Sequence, residues 1–167
     1  MFVRFDSLPA TSRLWVYQAN RPFTASEKQT LEAGLMDLCT NWAAHGTPLQ
    51  TSFVTKYDQF VVMAVNEALH GASGCSIDGS VNYLKKMQSE LGLDFFDRSQ
   101  VAFIDGQKIC AYPFSAVKTL LTNQTLSPET LSFNNAVTTK ADWEKHWIVP
   151  VKDSWMARFL PKTAVSG

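Results

Sequence analysis

A chain of 167 residues can bury about two thirds of its unfolded surface without disulfide or metal staples, and it is read as one domain over 1–167. Fifteen Lys and Arg balance fifteen Asp and Glu, so no global field gathers nucleic acid or an anionic membrane. The longest purely apolar run, "FVVMAV" at 60–65, is far short of the roughly twenty residues that span a bilayer.

The opening "MFVRFDSLPATS" carries Arg4 and Asp6 where a leader would be apolar, so no secretion signal is read. "RLWVYQAN" (13–20) is aromatic and β-branched and stops before Arg21-Pro22, which predicts a first strand. In "TASEKQTLEAGLMDLCTNWAAHG", Thr24 with Glu27 and Ser26 with Gln29 both have capping-box spacing. Leu31, Leu35, Leu38 and Trp42 then mark one helical face, and Gly46 is read as the C′ stop before Pro48. His45 beside that end would complement the helix dipole.

"TSFVTKYDQFVVMAV" (51–65) predicts a hairpin turning near Tyr57-Asp58-Gln59. A second helix follows a glycine-rich loop, with Ile77, Val81, Leu84, Met87 and Leu91 in period and Gly92 as its cap. "VAFIDGQKICAY" places Asp105-Gly106 between two alternating arms, the signature of a type I′ hairpin. Beyond Pro113, "FSAVKTLLTNQTL" is read as a short helix and "SPETLSFNNAVTTKA" as an exposed connection. "DWEKHW" and "DSWMARFL" are read as two helical turns parted by Pro150, and "PKTAVSG" as a frayed tail.

The order β-α-β-β-α-β predicts an α+β fold with a ferredoxin-like split βαβ antiparallel sheet, an extra strand and C-terminal helices. Both helices then cover one face of the sheet. The other face needs a lid, for which the aromatic C-terminus with Trp143, Trp147, Trp155 and Phe159 is the candidate.

Function concentrates in "HGASGCSIDGSV", residues 70–81, where three glycines, a cysteine and a histidine lie between a strand and a helix. A glycine-rich turn opening a helix aims backbone N–H groups and the positive helix end at an anion. Ser73, Gly74, Ser76, Asp78 and Ser80 are the predicted contacts for a small anionic ligand, with His70 as charge partner. A second reading makes Cys75 a nucleophile whose thiolate the helix end stabilises, with His70 as its base; Asp78 opposes it. In a third, Ser76 or Asp78 only caps the helix and Cys75 packs as a small hydrophobe. No G-x-x-x-x-G-K-[ST], G-x-G-x-x-G, C-x5-R or G-x-S-x-G pattern occurs.

Elsewhere, Cys39, one residue beyond Leu38 on the first helix, and Cys110, alternating with apolar neighbours on a strand, are read as core thiols, and three cysteines without a C-x-x-C fit reduced thiols of a cytoplasmic protein. Histidines at 45, 70 and 146 lack metal-ligand spacing, so neither metal nor cofactor is expected. Expected partners are a small ligand, a protein, or a second copy meeting an uncovered sheet face as a homodimer. Nucleic acid and membrane are not expected, since neither "DQFVVMAV" nor "QVAFIDG" supplies an RNA-binding aromatic strand motif.

Taken with "RLWVYQANRPFT" and "QVAFIDG", the segment "GCSIDGSV" resembles a family of uncharacterised bacterial proteins over most of the chain. Some of these carry the description "ABC transporter ATPase". The resemblance implies a soluble bacterial protein and supplies no catalytic residues to transfer. Walker A and an LSGGQ-like signature are both missing here.

Overall fold

Cross-strand pairing sorts the apolar residues of residues 13–65 into two faces of one sheet, and the helices are laid on one of them. The computed structural model describes residues 1–44, 46–68 and 74–161, leaving aside the side chains of 44 and 74–77. The readings placed on His45, His70, Gly71 and Ser73, and on the tail beyond 161, lie outside the described residues. The fold is α+β, in two units: Met1–Asp97 with Asn135–Glu144, and Arg98–Asn134 with Lys145–Gly167.

In the first unit the elements are β1 (Arg13–Gln18), α1 (Ala25–Thr40), a small hairpin of β2 (Ala43–Ala44) and β3 (Thr47–Pro48), β4 (Thr51–Lys56), β5 (Phe60–Val65) and α2 (Gly74–Leu91). The sheet is antiparallel in the order β1-β5-β4, with Trp15 and Phe53 both opposite Met63. That face packs Val61, Met63 and Val65 against Leu31, Leu35, Cys39, Leu84 and Met87 of the two helices. Every residue of β5 is buried, which explains its unbroken apolar run: a central strand covered on both faces needs no polar alternation. On the opposite face, Trp143 lies 5.9 Å from the Lys56 ammonium and packs edge-on against Phe5 at 5.4 Å. So one aromatic of the expected lid does sit there, helped by the N-terminal segment.

α1 starts as predicted. Thr24 and Glu27 form the capping box, and Arg21 binds both carboxylate oxygens of Glu27 at 2.8 Å while donating to the Leu91 carbonyl at the end of α2. These bonds, chiefly that from Arg21, hold the Glu27 carboxyl down at about 2 instead of 4.5. A depressed carboxyl stabilises the fold above its unfolded pKa and loses that contribution as pH falls through the folded one. Thermal midpoints should therefore drop more steeply between pH 4.5 and about 2 for the wild type than for Glu27→Gln; parallel profiles would show that the Arg21 pairing does not couple to folding.

The helix ends earlier than the Gly46 reading, at Thr40 with Asn41 as C-cap. Trp42 leaves the helix but stays buried and stacks on Trp15 at 6.4 Å, and Gly46, at φ 79°, lies between β2 and β3 instead. Gly92, at φ 68°, follows α2 as expected, its N–H bonded to the Gln88 carbonyl.

The second unit holds β6 (Gln100–Asp105), β7 (Lys108–Pro113), α3 (Val117–Thr122), β8 (Leu131–Phe133) and β9 (Ile148–Pro150); α4 (Lys140–His146) begins in the first unit and ends in the second. Its sheet is antiparallel in the order β7-β6-β8-β9. Phe103, Val117, Leu121, Leu126, Val151 and Met156 form its core. Two expectations are corrected here. Among the described residues the strand after α2 pairs with β7 and β8 and not with β1, β4 or β5, so the ferredoxin-like four-stranded sheet is not found there. The stretch read as an exposed connection contains β8, an inner strand tied by the Ser132 hydroxyl to the Val149 carbonyl at 2.9 Å.

The type I′ geometry read at Asp105-Gly106 is corrected: it occurs at the other hairpin turn. At 105–108 only Gly106 has positive φ, with Asp105 paired to Lys108, which is a II′-like arrangement with glycine first. The I′-like turn is at Tyr57 (φ 54°) and Asp58 (φ 51°), closed by Gln59 N–H to Lys56 O at 3.1 Å. Neither residue is glycine. The strain is offset by Phe23 N–H donating to the Asp58 carbonyl at 2.6 Å and by Lys28 binding its carboxylate at 2.9 Å.

Candidate functional site

The predicted site resolves into residues of the first turn of α2 and residues beyond it. Gly74, Cys75 and Ser76 are the first three residues of an 18-residue helix. By helix geometry their N–H groups have no acceptor within the helix. Ser76 and Asp78 therefore lie inside the helix and not at its N-cap, which corrects the capping reading.

Asp78 is exposed, and Ser80 is buried with its hydroxyl 3.5 Å from that of Tyr17 on β1. Six residues along a helix is a rise of about 9 Å. Ser80 is thus bound into the packing of α2 on the sheet, and Gly74, Cys75 and Ser76 are the part of the predicted set grouped at the helix mouth.

The contrast with α1 is electrostatic. α1 neutralises its own N-terminus with Glu27 in the first turn and Thr24 as cap. α2 has no acidic residue in its first turn. A helix end of this kind favours an anion by about 0.3–1 kcal/mol when exposed and up to about 2 when partly buried.

The other thiols behave differently. Cys39 is fully buried beneath β4, and burial pushes its pKa up to about 11; Cys110 is half-buried on β7. Both are free thiols, and Cys39 has the environment of an inert one. Among the described residues no three His, Cys, Asp or Glu side chains are placed to share a metal, and no helix is long and apolar enough to cross a membrane.

One cleft escaped the sequence reading. It has a volume of about 620 Å³ and lies between α1 and the edge strand β4, lined by Lys28, Glu32, Met36, Phe53 and Thr55 among others. Its polar groups are largely paired: Thr55 donates to Glu32 at 2.6 Å, and Lys28 is held by Asp58, a bond that raises the lysine pKa. Such a cleft depends on which face of α1 turns outward at the sheet edge, and no residue motif marks it. No protein-family model, curated protein or solved structure matches the chain.

Proposed function

We propose that the protein binds a small anionic ligand, a phosphate ester or carboxylate, at the mouth of α2 in the cytoplasm of a bacterial cell. The observation that carries this reading is that α2 opens at Gly74 with three backbone donors in its first turn and no acidic side chain there to occupy them. The amides of Gly74, Cys75 and Ser76 are the proposed donors, and His70 and Ser73, upstream in the chain, are the proposed side-chain contacts. Free cysteines at 39 and 110 accord with a reducing compartment.

Thermal midpoints measured with inorganic phosphate, nucleotides, phosphosugars and dicarboxylates test it. A ligand at one hundred times its dissociation constant adds about 2.7 kcal/mol, expected to read as a rise of roughly 5–10 °C for a chain of this size. Ser76→Glu places a carboxylate in the first turn, favourable to the helix, and should abolish the rise while leaving the unliganded midpoint unchanged or higher. A flat response across the whole panel, or an unaltered response in Ser76→Glu, would reject the reading.

A thiol-dependent reaction is the second reading, favoured by the position of Cys75 as second residue of the helix, where a thiolate gains from the dipole. Cys75 should then react with iodoacetamide near neutral pH much faster than Cys39, and Cys75→Ser should remove the fast phase. Uniformly slow labelling would leave binding as the sole role for this segment.

A further inference from the structure

The neutral total conceals a division of charge. The second unit carries seven Lys and Arg against three Asp and Glu, so the first carries eight against twelve. On the basic unit two aromatic side chains lie open to solvent: Phe114, 51% exposed, and Trp155, 43% exposed. They are stacked, with ring centroids 5.2 Å apart and planes within 14°. What sets them apart from singly exposed residues is that the two are contiguous, and a stack that ends at a half-exposed ring presents one free aromatic face.

One cation lies against this stack, and the backbone brings two more near it in the chain. The Arg158 guanidinium sits 5.7 Å from the Trp155 ring and 4.8 Å from that of Phe159. Lys118 lies four residues beyond Phe114, where the short 3-10 turn Phe114–Ala116 runs into α3. Arg98 comes to the same strand end, because Phe114 N–H donates to the carbonyl of its neighbour Ser99 at 2.7 Å. All three basic side chains are exposed, and among the described residues none has a carboxylate within ion-pair distance.

We propose that this surface binds single-stranded nucleic acid, a base continuing the Trp155–Phe114 stack on the open face of Phe114 while backbone phosphates meet Arg98, Lys118 and Arg158. Charge complementarity selects a polyanion. The flat ring selects one that carries planar groups, and a duplex has its base faces already consumed, so a single strand fits. Stacking uses the π-face that every base has, so the binding is expected to be tolerant of sequence. The site is separate in sequence from the mouth of α2 and does not depend on ligand binding there.

The test uses the full chain and fluorescently labelled oligo(dT) and oligo(U), read by anisotropy. Saturable binding is expected, with Phe114→Ala weakening it about tenfold, the lower range of what one stacked base contributes. Three phosphate contacts to a single strand predict a slope of log affinity on log salt of about −2, falling by about 0.7 for each cation removed, as in Lys118→Ala or Arg158→Gln. A hairpin duplex of equal length should compete poorly, and Ser76→Glu should bind like the wild type. Phe114 is a surface residue, and circular dichroism of Phe114→Ala checks that the fold is intact. If that variant is misfolded, Lys118→Glu carries the test and should lose binding at least as strongly as Lys118→Ala. No saturable binding up to about 100 µM, the weak end of non-specific association, overturns the proposal. So does binding that heparin matches and Phe114→Ala leaves intact, loss of binding in Ser76→Glu, or light scattering that shows the surface occupied by a second copy.

Discussion

Gly34→Ala is expected to destabilise the protein by about 2 kcal/mol, even though alanine is the better helix former by about 1 kcal/mol. A Cβ at Gly34 would lie 2.0 Å from the Tyr83 hydroxyl oxygen and within 2.7 Å of two ring carbons, because α1 and α2 approach closely at this point. The tyrosine would have to swing away. It would then lose its bond to the Leu31 carbonyl, 3.0 Å in the native packing, along with its contact with the core. Burial pushes the Tyr83 phenol up to about 12, so displacement has a spectroscopic signature: Tyr83 should ionise closer to its ordinary 10. Urea denaturation of Gly34→Ala, Tyr83→Ala and the double variant should give a coupling of at least about 1 kcal/mol, since the two side chains compete for one space. If Gly34→Ala is instead more stable than wild type, the helices have room to part and the glycine is not there for close approach.

Lys140→Met is expected to cost about 3 kcal/mol. Lys140 is 6% exposed, and its ammonium donates to the Leu8 carbonyl at 2.8 Å and the Asp6 carbonyl at 3.1 Å, with the Phe5 ring 5.5 Å away. Methionine matches the stem in volume but leaves two carbonyls without their donor, each at a desolvation cost of about 1–3 kcal/mol. Glu144, at 3.9 Å and half exposed, contributes little, so Glu144→Gln should change stability by less than about 0.5 kcal/mol. Chemical denaturation of the two variants separates the contributions. Equal midpoints for Lys140→Met and wild type would mean that water replaces the ammonium without loss.

The first unit was the more legible of the two in sequence. Thr24 and Glu27 act through local geometry, and Leu31, Leu35, Leu84 and Met87 keep helical period, so α1 and α2 follow from short-range rules. The hairpin of β4 and β5 is likewise local. Which sheet a strand enters is not: β6 has the alternation that a ferredoxin-like sheet needs, yet beside its local partner β7 it takes β8, a choice made by contacts distant in sequence. β8 has only three residues, too few for periodicity to register, and is recognised solely through its partners. Glycine counting also misled at the turns, since Tyr57 and Asp58 take positive φ under tertiary restraint.

Within the candidate site, the helix start was readable because glycine and serine punctuate it, whereas the inward direction of Ser80 depends on where β1 lies. The aromatic C-terminus divides in a way no spacing reveals. Trp143 serves the first unit, Trp147 is buried on Phe133 at 4.9 Å, and Trp155 is left in solvent.

Asn135–Glu144 belongs to the first unit, where it closes the outer edge of β1 through Leu14 N–H to Thr138 O at 2.9 Å and supplies Lys140 to the N-terminal segment. A nascent chain that has reached Asp97 therefore holds every strand of that sheet but not the segment that seals it. At 5–20 residues per second the ribosome needs roughly 2–10 s to add the rest. Throughout that interval β1 offers an open template for a neighbouring chain. A slow-codon pause placed between 97 and 144 would lengthen the exposure and is expected to lower the yield of folded protein.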